Sequence, residues 1–340
     1  MIVLGIESTC DETGVSIVEN GKRILSNVVA SSADLHEQYG GVFPELACRR
    51  HIDAILPVLD QAIADAGISP EKIDLIAVAK GPGLVGALLI GMNAAKGLAI
   101  AWDKPLIGVN HIEAHLYASM MGAAETEGLF PALGIVLSGG HTLLLKIFDI
   151  GCYELMGTTV DDAIGEAFDK VASMLSLPYP GGPHIEKLAL KGNPRAYPLS
   201  AGKVKKNPLD FSFSGLKTNV LYSIKGQNGR NEAQLTETEK ADLAASFQET
   251  ALQDIVNKAS LSRQIFPFKS IFLGGGVCNN QRLRALFFEK FSPLPLFWPP
   301  LNLSVDNAAM IAGLGYHKFL ASGFLGDSLS LEVQTRIPIA

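Results

Sequence analysis

The chain carries the same local pattern twice, an apolar strand, a short polar turn and a second apolar strand. The first copy is IVLGIESTCDETGVSIVEN, with its turn at Ser8–Thr13. The second is ALGIVLSGGHTLLLKIFD, with its turn at Ser138–Thr142. Apolar runs flanking a turn of glycine and small polar residues read as β-hairpins. Two further segments, LIAVAKGPGLVGALLIGMNAA and KSIFLGGGVCNNQRLRALF, run from a strand through a glycine turn into a helix. A hairpin that recurs in this way predicts two related halves, each with a central sheet and flanking helices. The expected fold is therefore α/β, with two duplicated lobes, mixed sheets and a central cleft. The boundary falls where EGLFP ends. Residues 1–131 form an N-terminal lobe with the first hairpin and the segment HIEAH. Residues 132–340 form a C-terminal lobe with the second hairpin, the GGG loop and Asp306.

Composition supports packed lobes. Of 340 residues, 48% are hydrophobic and only 18% charged, which excludes a disordered chain. The formal net charge of −6 provides no global basic field for nucleic acid, so RNA contact must come from local patches or a partner. Cys10, Cys48, Cys152 and Cys278 are scattered without a CxxC pair, which points to a reduced, cytoplasmic protein rather than a zinc ribbon. The N-terminus turns acidic within a few residues and does not read as a signal peptide. The most membrane-like run, Leu84 to Trp102, is glycine-rich and includes Asn93 and Lys96. It reads as a buried helix, and no membrane association is expected.

HIEAH follows a strand pattern and opens a helical one, so His111 and His115 sit one turn apart on one face. Two neutral imidazoles there can hold one divalent cation; two satisfied histidines at a helix start are the plainer reading. At about 100° per residue, Glu113 points roughly 200° away from His111, which argues against the general base of a zinc peptidase. Asp306 precedes an apolar helical run and looks like an N-cap; aimed instead at the histidines, it completes a site of two imidazoles and one carboxylate suited to Fe(II) or Zn.

Three loops, STCDETG, LSGGHT and GGGVCNN, are candidates for phosphate contact through backbone N–H groups. Together, in this order, they resemble the two phosphate loops and the adenosine loop of the actin-like ATPase superfamily. Asn279 and Asn280 read as helix caps, with Asn280 also placed to reach a nucleotide. Asp11 and Glu12 at the first turn are either solvated or face substrate phosphates through a cation. In DDAIGEAFDKVASML, Asp162, Glu166 and Asp169 share a helix face. That face is either solvated or directs Asp169 at a ribose or cation, with Glu186 of PGGPHIE nearby. Lys203, Lys205, Lys206 and Lys217 form a basic cluster, and Phe211 or Phe213 is a candidate for base stacking on tRNA.

The ordered set GIESTCDET, YGGVFPELA, GPGLVGAL, HIEAH, LSGGHT, GEAFDK, YPGGP, DFSFSGLK, GGGVxxN and DNAAMIA resembles the tRNA N6-adenosine threonylcarbamoyltransferase (TsaD) family, bacterial type. The match covers nearly the whole chain. The resemblance implies transfer of a threonylcarbamoyl group from threonylcarbamoyl-AMP to N6 of the adenosine beside the anticodon. The tRNAs are those reading codons that start with A, and AMP is released. It implies His111, His115 and Asp306 as ligands of one divalent metal, with Fe(II) favoured over Zn. It implies Val136, Leu137, Ser138, Gly139, Gly140, Asp169, Gly182, Glu186 and Asn280 as substrate-binding positions. Many members carry Asp where this chain has Glu186. The first turn reads STCDET where TSCDET is common, a swap that keeps both hydroxyls. Asp11 and Glu12 are the candidates for accepting the amine proton. TsaB-like and TsaE-like proteins are the implied partners. The rival readings are a small-molecule kinase on the same fold, a metalloendopeptidase, and a nucleotide-dependent scaffold without chemistry.

Overall fold

The computed structural model describes residues 1–32, 43–123, 127–226 and 235–339. The YGGV part of the YGGVFPELA motif lies outside them. In chain order the strands and helices are β1 (Ile2–Glu7), β2 (Glu12–Glu19), β3 (Arg23–Ser31), α1 (Pro44–Ala66), β4 (Leu75–Gly81), α2 (Val85–Trp102), β5 (Leu106–Asn110), α3 (His111–Met121), β6 (Ala132–Leu137) and β7 (Thr142–Asp149). They continue as β8 (Cys152–Thr158), α4 (Ile164–Met174), α5 (Gly181–Ala189), α6 (Ser214–Lys225), α7 (Glu237–Ile265), β9 (Ser270–Gly274), α8 (Gln281–Phe291), β10 (Leu296–Phe297) and α9 (Ala308–Ala321).

The duplication expected from the hairpins is present in the topology. One sheet has the order β3-β2-β1-β4-β5, and the other, taken from its opposite edge, β8-β7-β6-β9-β10. In each, the opening hairpin is antiparallel, β1 with β2 and β6 with β7. In each, the first strand then pairs in parallel with a strand much later in sequence, β1 with β4 and β6 with β9.

In the first sheet, β1 shows how sequence alternation assigns the faces. Leu4 and Ile6 join a core with Ile55 and Leu59 of α1 and Met92 and Ala95 of α2. Gly5, on the opposite face, meets α9 so closely that a Cβ there would lie 2.4 Å from the Ala308 carbonyl oxygen. Both faces are thus covered, and β1 reads as an almost unbroken apolar run. Helix α2 is long and apolar enough to cross a membrane by length and composition. Only a third of it is buried here, at Ala87, Leu88, Gly91, Met92, Ala95 and Ala99, while Val85, Leu89 and Ile100 are exposed, so it is a half-buried helix rather than the buried one expected.

The chain divides into two compact units. Unit 1 comprises Met1–Thr126, Asp149–Tyr153 and Trp298–Ala340; unit 2 comprises Glu127–Phe148 and Glu154–Phe297. A single cut at 131/132 differs from this division mainly at the C-terminal end. The close seat of α9 against Gly5 and Gly14, and of its own Gly315 against Ala77 of β4, carries that segment into unit 1.

Candidate metal centre and nucleotide-type loops

In unit 1, β5 runs directly into α3, and Asn110 marks the change. Its side-chain oxygen accepts from the backbone nitrogens of Ile112 (2.9 Å) and Glu113 (3.5 Å), capping the helix. His111 is therefore the first helical residue, and His115 stands one turn later, their ring centroids 4.6 Å apart. Nε2 of His115 lies 3.1 Å and Nε2 of His111 3.6 Å from Oδ1 of Asp306. One ligand atom from each residue fits within a 4.8 Å cluster. Neither ring nitrogen of buried His115 makes a hydrogen bond among the described residues. Buried polar atoms are normally satisfied, so the nitrogens of this histidine are available to a group from outside the chain. Two imidazoles and a carboxylate are a fitting donor set for Fe(II) or Zn(II).

Asp306 is not the N-cap of α9. Asn307 is, accepting from the Met310 backbone nitrogen at 3.1 Å. The cap falls one residue later than the sequence suggests, and the Asp306 carboxylate is turned to the histidines. Glu113 points away from them and pairs with Lys318 of α9 at 3.3 Å.

The first turn is tied down from several sides. Glu7, fully buried, accepts from the Thr9 backbone nitrogen (2.6 Å) with one oxygen and from His111 Nδ1 (2.9 Å) with the other. The Leu84 backbone nitrogen donates to the Thr9 carbonyl at 2.9 Å. Gly83 permits that approach, since a Cβ there would sit 2.6 Å from the same carbonyl oxygen. His51 of α1 donates from Nε2 to the Cys10 carbonyl (3.0 Å), so its Nδ1 accepts from Thr13 Oγ1 (2.7 Å).

The turn concentrates negative charge. Burial, and then the carboxylates of Asp306, Asp11 and Glu7, push the Glu12 carboxyl up to about 10. Burial lowers His111, but the Glu7 and Asp306 carboxylates outweigh it and raise the imidazole to about 9. The Cys10 thiol is pushed well up by burial and by Asp11, Asp306 and Glu12.

In unit 2, Val136 and Leu137 end β6, and Ser138 opens the second turn, its Oγ accepting from the His141 backbone nitrogen at 3.1 Å. A Cβ added at Gly139, Gly140 or Gly182 would meet nothing within 4 Å, so the space beside these backbones is open. Gly275 is different: φ is +94° and a Cβ would lie 2.4 Å from the Leu137 carbonyl oxygen. Asp169 Oδ1 accepts from the Gly181 nitrogen (2.7 Å) at the start of α5. Glu186 Oε1 accepts from the Gln281 nitrogen (2.7 Å) at the start of α8. Asn280 caps α8 through Leu283 (3.0 Å), while its Nδ2 donates to Gln248 Oε1 (2.8 Å). Asn279 sits instead in the short 3-10 turn Gly276–Asn279. The predicted side chains of unit 2 thus brace two helix starts beside an open glycine loop.

Two expectations change here. Helix α4 begins at Ile164, after Asp162. Asp162 joins an ion-pair network with Lys170 (2.8 Å) and with Lys217. Phe211 and Phe213 are fully buried and stacked on each other, which removes them as base platforms. Lys203, Lys205 and Lys206 are exposed as expected.

Sequence reasoning passed over Glu7 and Gln248. An acid closing an otherwise apolar strand is a signal for Glu7, because a buried carboxylate needs partners. Gln248 lies mid-helix in α7 and offers no local signal.

A family profile described as tRNA N6-adenosine threonylcarbamoyltransferase (TsaD) matches residues 23–313. Relatives of that name match at full length. One from Protochlamydia amoebophila is 59% identical, covering 100% of this chain and 98% of its own. One from Anaeromyxobacter dehalogenans is 47% identical, covering 98% and 99%. One from Chlamydia abortus is 49% identical, covering 94% and 92%. Among solved structures, T. kodakarensis HypF superposes with a TM-score of 0.62 at 16% identity, covering 98% of this chain. The chain spans only 49% of that protein. A ROK hexokinase from Thermus thermophilus superposes with a TM-score of 0.52 at 15% identity, covering 95% and 99%. These structures share the actin-like ATPase fold, and so does this chain.

Proposed function

The chain belongs to the tRNA N6-adenosine threonylcarbamoyltransferase family, and on that footing we propose how its own residues carry the transfer. It is a transferase of threonylcarbamoyladenosine biosynthesis, with threonylcarbamoyl-AMP and tRNA as substrates. Nothing in the comparisons favours the kinase, peptidase or scaffold readings.

The family is metal-dependent, and the observation that carries the site assignment is the cluster of His111, His115 and Asp306 with the unsatisfied nitrogens of His115. These three residues are the proposed ligands. A divalent cation, Fe(II) in preference to Zn(II), supplies a positive centre that polarises an acyl oxygen when bound.

The remaining work falls to the protein. The backbone that leaves β6 at Val136–Ser138 and is open at Gly139, Gly140 and Gly182 takes the AMP part of the donor, with Asp169, Glu186 and Asn280 holding the surrounding helix starts in place. The N6 amine forms a bond to the carbamoyl carbon while the carbon–oxygen bond to the AMP phosphate breaks. The amine gives up one proton, and AMP leaves with the bonding pair. An exocyclic amine is a weak nucleophile, so orientation supplies much of the rate. We assign the proton to the Asp11–Glu12 pair. Burial and the carboxylates of Asp306, Asp11 and Glu7 make the Glu12 carboxyl more basic than usual.

The net charge of −6 supports a need for partners in handling tRNA. Lys203, Lys205 and Lys206 are the candidate phosphate contacts. Ile52 and Leu56 on α1, and Val85 and Leu89 on α2, are exposed apolar pairs one turn apart on helices that pack together. They suit a protein partner, for which TsaB-like and TsaE-like proteins are the proposals. The tRNA substrate supports a cytoplasmic location as part of the proposal.

The deciding experiment supplies purified chain, partners, tRNA and threonylcarbamoyl-AMP, and measures modified adenosine by nucleoside mass spectrometry. Alanine at both His111 and His115 is expected to remove metal and transfer together. Full metal content and transfer in that variant would overturn the site assignment.

A further inference from the structure

Two histidines face Asp306, but they are held in different ways. Among the described residues neither ring nitrogen of His115 is hydrogen-bonded; packing holds the ring, with Nε2 3.1 Å from Asp306 Oδ1. His111 has its Nδ1 engaged by the Glu7 carboxylate at 2.9 Å, with Thr9 Oγ1 3.3 Å from the same nitrogen. A carboxylate accepts and cannot donate, so the hydrogen on that side of the ring sits on Nδ1. Once the ring is neutral, as a metal ligand must be, its lone pair is on Nε2, the nitrogen that faces Asp306. Glu7 itself has no freedom to turn. It is fully buried, and its second oxygen is taken by the Thr9 backbone nitrogen at 2.6 Å. Thr9 belongs to the turn that carries Asp11 and Glu12, and its carbonyl is clamped in turn by Leu84.

We propose that Glu7 is a positioning residue that fixes the His111 ring and its Nε2 lone pair toward the metal site and locks that ligand to the acidic turn. Carboxylates behind ligating histidines act in this way on imidazole orientation and basicity. The consequence is an asymmetric site. Half of its imidazole pair is held from behind by a charged hydrogen bond, and the other half by packing around the ring. The acidic turn and the first ligand also move as one body, because one carboxylate bridges them.

The inference rests on the metal assignment of the preceding section, and the test separates the two. Zn(II) affinity is measured by chelator competition on the purified full chain, in wild type, Glu7→Gln, Glu7→Leu and His111→Ala/His115→Ala. Long-range 15N–1H correlations are recorded on the Zn(II)-loaded wild type. Near-ultraviolet circular dichroism and melting temperature check that each variant is folded. The expected affinity losses are about 10- to 100-fold for Glu7→Leu and smaller for Glu7→Gln, whose amide oxygen still accepts from Nδ1. The His111 ring is expected to carry a protected Nδ1–H with Nε2 bound to metal. A folded Glu7→Leu with wild-type affinity would overturn the role of Glu7. So would Nδ1 coordination in the wild type, a readout that needs no variant to fold. Retention of Zn(II) by the double-histidine variant would instead overturn the metal site itself.

Discussion

Two acid clusters in this protein show opposite electrostatics. Around the first turn of unit 1, Glu12 is raised to about 10 by burial and by the carboxylates of Asp306, Asp11 and Glu7. At the start of α4 in unit 2, burial also pulls Asp162 upward. There the hydrogen bonds from Lys170 and Lys217 outweigh burial, and its carboxyl is held below the usual range. Lys170 reaches Glu166 as well, at 2.6 Å. The unit 2 cluster completes itself with cations from its own chain and is architectural. In the unit 1 cluster, three carboxylates and burial raise Glu12 next to two histidines, an arrangement that gains most from a cation supplied from outside. Counting acids in a sequence does not separate the two; their neighbours do.

The largest test of this contrast removes the donor set. Asp306→Ala, or alanine at both histidines, is expected to cost transfer at least about 100-fold, more than the loss of a residue such as Glu7 that only orients one histidine. Metal analysis of the purified variant should show the same loss. Removal of Asp162 should leave metal content untouched.

The second test uses pH. A carboxyl whose folded pKa lies above its unfolded value is a source of stability only while protonated. As pH rises above about 4.5, the unfolded chain loses this proton first, so the metal-free protein loses stability from there to about 10. Thermal melts of chelator-treated protein between pH 5 and 9 should fall with pH for the wild type and be flatter for Glu12→Gln. Added metal should reduce the slope, because a cation opposes the repulsion.

Asp162→Asn sharpens the other side. It leaves Lys170 and Lys217 without their shared acceptor at a site that is part exposed, for an expected cost of about 1–2 kcal/mol. The sign is reversed. The stability contributed by the wild-type carboxylate is full above about 3.8 and is lost as pH falls through its lowered folded value. Denaturant titrations at pH 7 and pH 3 should converge for wild type and variant at the lower pH.

The smallest effect is expected at Glu113. It makes one ion pair with Lys318, at 3.3 Å, and Glu113→Gln should cost under about 1 kcal/mol and leave transfer near wild type. A collapse of transfer there would show that Glu113 acts on the site and not only on Lys318.

Much of the architecture was legible without a structure. The recurring hairpin announced the duplicated sheets, and the strand–turn–helix segments were found where their glycines placed them. Asn280 caps α8 as its position before an amphipathic run implies. The spacing of His111 and His115 set both on one helix face, and Glu113 off it. These features depend on periodicity and turn chemistry, which act within a few residues and survive in the order of the letters.

What the tertiary structure decided lies at longer range. It turned Asp306 to the histidines and gave the cap to Asn307. It placed Phe211 and Phe213 in the core despite their basic surroundings, and joined Glu7 at the end of β1 to His111 at the start of α3. It also brought the C-terminal helix against β1, where Gly5 leaves room for the Ala308 backbone. Hydrophobic pattern states that a residue is buried but not what it is buried against. A carboxylate at the end of an apolar strand reads the same whether it caps a turn or steers a metal ligand, until the chain that packs over it arrives.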